Sequence, residues 1–216
     1  MTYLITSEDV LFQVVAPSLP LSPNEYDRRY FDQFSNVLRL YFNELDKVIG
    51  QLNTSTQAST INVPYLAVQD TVSHTVTANT ANAMTFDTVD YSNNCSLVSS
   101  SQLKVTYAGI YNLQFSTQFQ NTDTQEHDLS IWLRKNGTDI VGSAGFVSVI
   151  NKHGGVNGHA IVGWNFYVSL AANDYIQLYW STTNAAVTIQ AYAAGVTPTR
   201  PSTASNVATL TFVSAV

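Results

Sequence analysis

Between Tyr111 and Gln120 the chain alternates. Tyr111, Leu113, Phe115 and Phe119 stand on odd positions with Thr117 as the one interruption, and Asn112, Gln114, Ser116, Gln118 and Gln120 fill the even ones. A period of two belongs to a β-strand with one face buried and one wet. Leu129, Ile131 and Leu133 repeat the pattern and run straight into Asn136-Gly137, a dipeptide of tight hairpin turns. Trp164, Phe166, Val168 and Leu170 form another such set, followed by Ile176, Leu178 and Trp180, then Val187, Ile189 and Ala191, and last the Thr- and Val-rich Val207–Val213. Short strands at this spacing, with no helical period between them, predict an antiparallel β-sandwich over residues 61–216.

The first 53 residues obey other rules. Val10-Leu11-Phe12-Gln13-Val14-Val15 is β-prone, and Pro17, Pro20 and Pro23 exclude a helix through the next segment, so 1–21 reads as an extended arm. An apolar arm this short has no core of its own. It docks on another copy or a larger assembly, or folds back as a strand on the C-terminal domain. Ser22-Pro23-Asn24-Glu25 fits a capping box with proline at the first helical position, which predicts a helix over 23–52, roughly 45 Å long at 1.5 Å per residue. Its apolar positions Phe31, Phe34, Leu38, Tyr41, Leu45, Val48 and Leu52 are spaced alternately by three and four, a heptad pattern. Tyr30, Val37, Phe42 and Ile49 widen the stripe. That breadth suits three or more helices or the groove of a partner, with packing on its own domain as the alternative. Thr54-Ser55-Thr56-Gln57-Ala58-Ser59-Thr60 reads as a linker.

Composition sharpens the division. Charged residues make up 11% of the 216, and residues 1–53 hold 11 of them against 13 in all the rest. Thr, Ser, Asn and Gln supply about a third of the chain in their place. The net charge of −6 lacks the basic footprint of a nucleic-acid binder and gives no attraction to anionic lipid. No apolar run reaches the roughly 18–20 residues of a membrane span, and the start has no basic stretch of a secretory signal, so assembly in a cytoplasm is expected. Cys95 is alone, which leaves no disulfide framework.

Candidate chemistry is sparse. His153 and His159 bracket a Gly-rich loop without further ligand types, and Glu126-His127-Asp128 reads as a hairpin end. Gly142-Ser143-Ala144-Gly145 lacks the pattern of a nucleophile elbow, and no Gly-rich phosphate loop opens a helix. No enzyme activity, cofactor or metal is therefore expected. By parity Tyr175, Gln177 and Tyr179 point away from Ile176, Leu178 and Trp180. With Gln114 and Gln118 on a neighbouring strand they would form an aromatic, uncharged outer face suited to an interface.

Three segments carry a resemblance: Ala108-Gly109-Ile110-Tyr111-Asn112-Leu113, Leu133-Arg134-Lys135-Asn136-Gly137, and Leu170-Ala171-Ala172-Asn173-Asp174-Tyr175-Ile176-Gln177-Leu178. They resemble the G-x-Y-x-F, L-x-x-N-G and L-x-x-G-D-x-V-x-L landmarks of the tumour-necrosis-factor-like jelly roll, which includes the complement globular heads. Asn173 stands where that family usually has Gly, and Asn tolerates the left-handed conformation the turn needs. The whole chain also looks like small virion proteins of tailed bacteriophages, through Asp32-Gln33-Phe34, Asn36–Asn43, Asp128–Trp132 and Trp164–Val168. The resemblance implies a homotrimer in which Gln114, Gln118, Tyr175, Gln177 and Tyr179 line a threefold interface. It implies a virion location, with residues 1–53 anchoring the protein to other virion proteins. A capsid decoration protein or head fibre is the leading expectation. The alternative is a tail fibre or tail-tip adhesin whose loops, 142–159 above all, bind host surface glycans.

Overall fold

A computed structural model describes residues 17–21, 25–53 and 63–215, with the side chains of 47–53 outside the description. The expected arm up to residue 16, the capping residues 22–24 and the linker 54–60 lie outside the described residues. The chain divides into two compact units, Met1–Asn62 and Val63–Val216.

The first unit contains the α-helix α1 (Arg28–Asn53), 26 residues and so about 39 Å long. It begins later than the capping-box expectation. Asp27 is the cap: its Oδ1 accepts the Arg29 N–H at 2.9 Å and its carbonyl accepts the Phe31 N–H at 3.4 Å. Aspartate caps as well as serine does, and residues 25–27 are not helical, so the competing signal at Ser22 does not set the start. Phe34, Leu38, Tyr41 and Leu45 are half-buried together with Tyr30 and Val37. Phe31, Leu40 and Phe42 are each about half exposed. Tyr30 stacks on Phe34 one turn ahead, centroids 6.0 Å apart. Val48 and Leu52 lie within α1.

The second unit is mainly β. It runs through β1 (Tyr65–Asp70), β2 (Asn82–Ala83), β3 (Thr88–Asn93), β4 (Cys95–Val98) and β5 (Gln102–Val105) to the long β6 (Gly109–Asn121). Then come β7 (His127–Lys135), β8 (Thr138–Asp139), β9 (Gly145–Val149), β10 (Gly158–Val162) and β11 (Asn165–Leu170). The last are β12 (Tyr175–Thr182), β13 (Val187–Ile189), β14 (Gly195–Val196), β15 (Thr199–Arg200) and β16 (Asn206–Ser214). Among the described residues one seven-stranded sheet has the order β10-β6-β16-β1-β3, with β11 and β13 also on β6. A second has the order β4-β5-β12-β7-β8, with β2 on β12 and β9 on β7. The pairings are antiparallel throughout both.

The alternation predicted from sequence places the core. On β6 the odd residues from Gly109 to Asn121 are buried, and all the even ones are half-buried or exposed. Leu66, Leu210 and Leu113 face one another across β1, β16 and β6 and are almost solvent-free. The two sheets meet where Phe119 of β6 packs on Trp180 of β12, centroids 5.4 Å apart. Gly109 is required by close approach, since a Cβ there would run into the Phe212 ring. The hairpin residues Asn136 and Gly137 have φ of 49° and 82°, both positive as a type I′ turn demands, and Asn173 sits at φ 68°.

Candidate interaction surfaces

The residues expected to form one interface fall on two different sheets. Gln114 and Gln118 lie on β6, whereas Tyr175, Gln177 and Tyr179 lie on β12 in the opposite sheet. Parity reports which way a side chain points relative to its own strand. It carries no information about which sheet holds that strand. The C-terminal strand β16 pairs with β6, and β12 belongs to the other sheet. Gln177 is also corrected. Its side chain is buried, and Nε2 donates to Ser101 Oγ at 2.8 Å because the β4–β5 turn folds across it.

The outer face of the β6 sheet forms continuous cross-strand rows. One is Tyr65, Thr211, Asn112 and Tyr167; the next is Tyr91, Ala67, Thr209, Gln114 and Asn165. Tyr91 is 70% and Tyr167 64% exposed, and Ile161 beside Gln118 is 70% exposed. The strands of this sheet contain no Lys or Arg. Their two carboxylates are Asp70, which is buried, and Asp90 on the edge strand β3. Tyr167 was readable as the outward partner of Phe166 and Val168. Tyr91 was not, because β3 is exposed along nearly its whole length and shows no alternation.

The β12 sheet presents a charged outer face instead. Lys104, Asp128, Arg134 and Asp139 lie on it. Tyr179 is half-buried opposite Trp132, and the Arg134 guanidinium lies 3.8 Å over its ring. Arg134 Nε donates to Asp139 Oδ1 at 2.8 Å, and Trp132 Nε1 donates to the same oxygen at 2.8 Å. Those two bonds hold the Asp139 carboxyl below its ordinary range. The uncharged character expected around Tyr179 is therefore replaced by a pinned ion pair.

Two of the sequence landmarks lock together. Asn136 Oδ1 accepts the Tyr175 N–H at 3.0 Å, and Asn136 Nδ2 donates to Asp174 Oδ1 at 2.7 Å. Asp174 Oδ2 accepts the Ala171 N–H at 2.8 Å and lies 3.3 Å from Lys135 Nζ. Burial alone would raise the Asp174 carboxyl; the bonds from Asn136, Ala171 and Lys135 outweigh it and hold it low. The β7–β8 and β11–β12 turns thus form one clasp at an end of the sandwich.

Several of the remaining reactive groups are held by burial or by neighbouring groups. Ser143 is buried, its Oγ donating to the Ile140 carbonyl at 2.7 Å and accepting the Leu133 N–H at 3.0 Å. Burial pushes the Cys95 thiol up to about 11. His153 sits in a reverse turn with Val156, while His159 on β10 has Nδ1 3.0 Å from the Tyr192 hydroxyl. His127 Nε2 stands 2.8 Å from Asp123, whose carboxyl it lowers. Among the described residues no group of three or more His, Cys, Asp or Glu is placed to hold a metal ion. A recess of about 160 Å³ is lined by His74, Thr85, Asn82, Met84 and Trp180. Beside it the buried Asp70 carboxylate has its acceptors filled: Oδ1 by the Val72 N–H, Oδ2 by Thr85 Oγ1 at 2.9 Å with His74 Nε2 at 2.7 Å.

Neither family models nor curated proteins yield a match to this chain.

Proposed function

We propose that the chain is a non-enzymatic structural protein of a tailed-phage particle: a trimeric capsid decoration protein or head fibre. Residues 1–53 attach it to other virion proteins. The observation that carries this reading is the neutral outer face of the β6 sheet. A row of Tyr, Thr, Asn and Gln with exposed Val and Ile, uninterrupted by any Lys or Arg, matches the centre of a protein interface, where charge is depleted and tyrosine enriched. The threefold contact is accordingly assigned to Tyr65, Tyr91, Gln114, Tyr167, Thr209 and Thr211.

The strand order supports a jelly roll of the tumour-necrosis-factor-like kind. One sheet takes β3, β1, β16, β6 and β11, the other β4, β5, β12, β7 and β9, so the chain passes repeatedly from one sheet to the other. The side of α1 carrying Phe34, Leu38, Tyr41 and Leu45 supports the anchor: it is an apolar stripe too broad for a two-stranded coil.

Light scattering on the full chain should give three times the monomer mass, and a stable monomer would refute the assembly. Removing residues 1–53 should abolish incorporation into particles. The exposed apolar residues of the 142–159 region, Phe146, Ile150 and Val156, favour the tail-adhesin alternative. Immunogold labelling separates the two, as many copies over the head or few at one end of the tail.

A further inference from the structure

The outer face of the β12 sheet carries a cluster that assembly through the other sheet leaves untouched. Trp132 and Tyr179 are direct cross-strand neighbours with centroids 5.9 Å apart and rings tilted by 35°. Phe146 on β9 stands opposite Ser130, two residues before Trp132, and is 81% exposed. Residues two apart on a strand share a face, as do cross-strand partners. Phe146, Trp132 and Tyr179 therefore make a diagonal aromatic strip. Ser130 and Ser181, opposite each other, edge it with hydroxyls, and the Arg134–Asp139 pair closes one side.

We infer that this strip binds a neutral pyranose oligosaccharide. Partly exposed aromatic rings match the apolar C–H face of a pyranose, and the sugar's hydroxyl rim needs donors and acceptors held at fixed positions. Here they are held. Asp139 is fixed by the Arg134 guanidinium and the Trp132 indole N–H, and Arg134 is fixed by Asp139 and the Tyr179 ring. Little side-chain freedom is lost on binding. Charge selects the class of sugar. Arg134 is already paired with Asp139, and Lys104 stands opposite Tyr175, four residues along β12 from Tyr179, so among the described residues no unpaired cation lies against the rings to hold a carboxylated or phosphorylated sugar. The strip lies on the sheet opposite the proposed threefold contact, so it is open in a monomer and in a trimer alike and does not rest on the assembly reading.

The test is a titration of the full chain with chitotetraose, cellotetraose and maltotetraose, and with trigalacturonate as the acidic arm, read by tryptophan fluorescence and calorimetry. At least one neutral sugar should bind saturably at millimolar concentration or below, and Trp132→Ala and Phe146→Ala should each weaken it by about tenfold. Phe146→Ala removes a ring that is mostly in solvent, so it remains informative should Trp132→Ala fail to fold. The inference is overturned if no neutral sugar binds by about 10 mM, if neither variant changes the affinity, or if trigalacturonate binds best. Light scattering on the same samples reports separately on the trimer: loss of sugar binding in an intact oligomer sinks this site alone.

Discussion

The two outer faces of the sandwich are built on the same strand alternation and yet differ in chemistry. Both inner faces are aliphatic and aromatic, as the common core requires. Outside, the β6 sheet shows Tyr, Thr, Asn, Gln and Val, while the β12 sheet shows Lys104, Asp128, Arg134 and Asp139. Folding explains the inner similarity and leaves the outer faces free. Covering an unpaired charge with another protein is costly, whereas an ion pair on a wet face costs little. The difference therefore marks which face is kept fit for burial and which for solvent.

The largest effect should come from placing a charge on the neutral face. Thr209→Glu would bring three carboxylates together in the proposed trimer and should weaken it by about a hundredfold or more, seen as a fall to monomer mass in light scattering. Ser181→Glu on the other sheet should leave the mass unchanged; equal effects would erase the distinction between the faces. Next comes the shared interior. Leu210→Ala, at a fully buried position between β1 and β6, should cost about 2–5 kcal/mol in urea unfolding and destabilise both faces together. Asn136→Ala removes the clasp bonds to Tyr175 and Asp174 and should cost about 1–3 kcal/mol, with β12 amides at that end exchanging faster while those of β16 do not. The smallest effect is a pH response at the Asp139 ion pair of the charged face. Asp139 is depressed in the folded protein, so its contribution is present above the unfolded carboxylate value near 4 and is lost as pH falls through the lower folded value. Acidification below about pH 4 should release the Trp132 indole N–H, visible in its NMR resonance, with no matching change at Tyr167.

The strands themselves were legible because one buried face imposes a period of two on residues such as Leu113, Leu133 and Leu178. The Asn136-Gly137 turn and the left-handed Asn173 were legible because few residues tolerate positive φ. Partnership between strands was not legible. Gln114 and Tyr179 have the same outward parity, and only the order of strands in space puts them on different sheets. Gln177 shares that parity too, but the turn at Ser99–Ser101 lies over it, a contact between segments 76 residues apart that no local pattern encodes. The helix start misled for a local reason. Two caps competed within a few residues, and the fuller motif at Ser22 lost to Asp27.

β16 lies in the middle of its sheet, between β1 and β6, although it is the last strand of the domain to be made. During synthesis β1 emerges first and has its β3 partner early, but the site between β1 and β6 stays vacant until β16 has cleared the ribosome. Chain growth at about 5–20 residues per second gives a delay of several seconds with two strand edges unpaired. A nascent or prematurely terminated chain lacking β16 cannot complete the row of Tyr65, Thr211, Asn112 and Tyr167, so it offers its neighbours no finished face. The position of one strand thus makes completion of the proposed contact face wait on translation through β16.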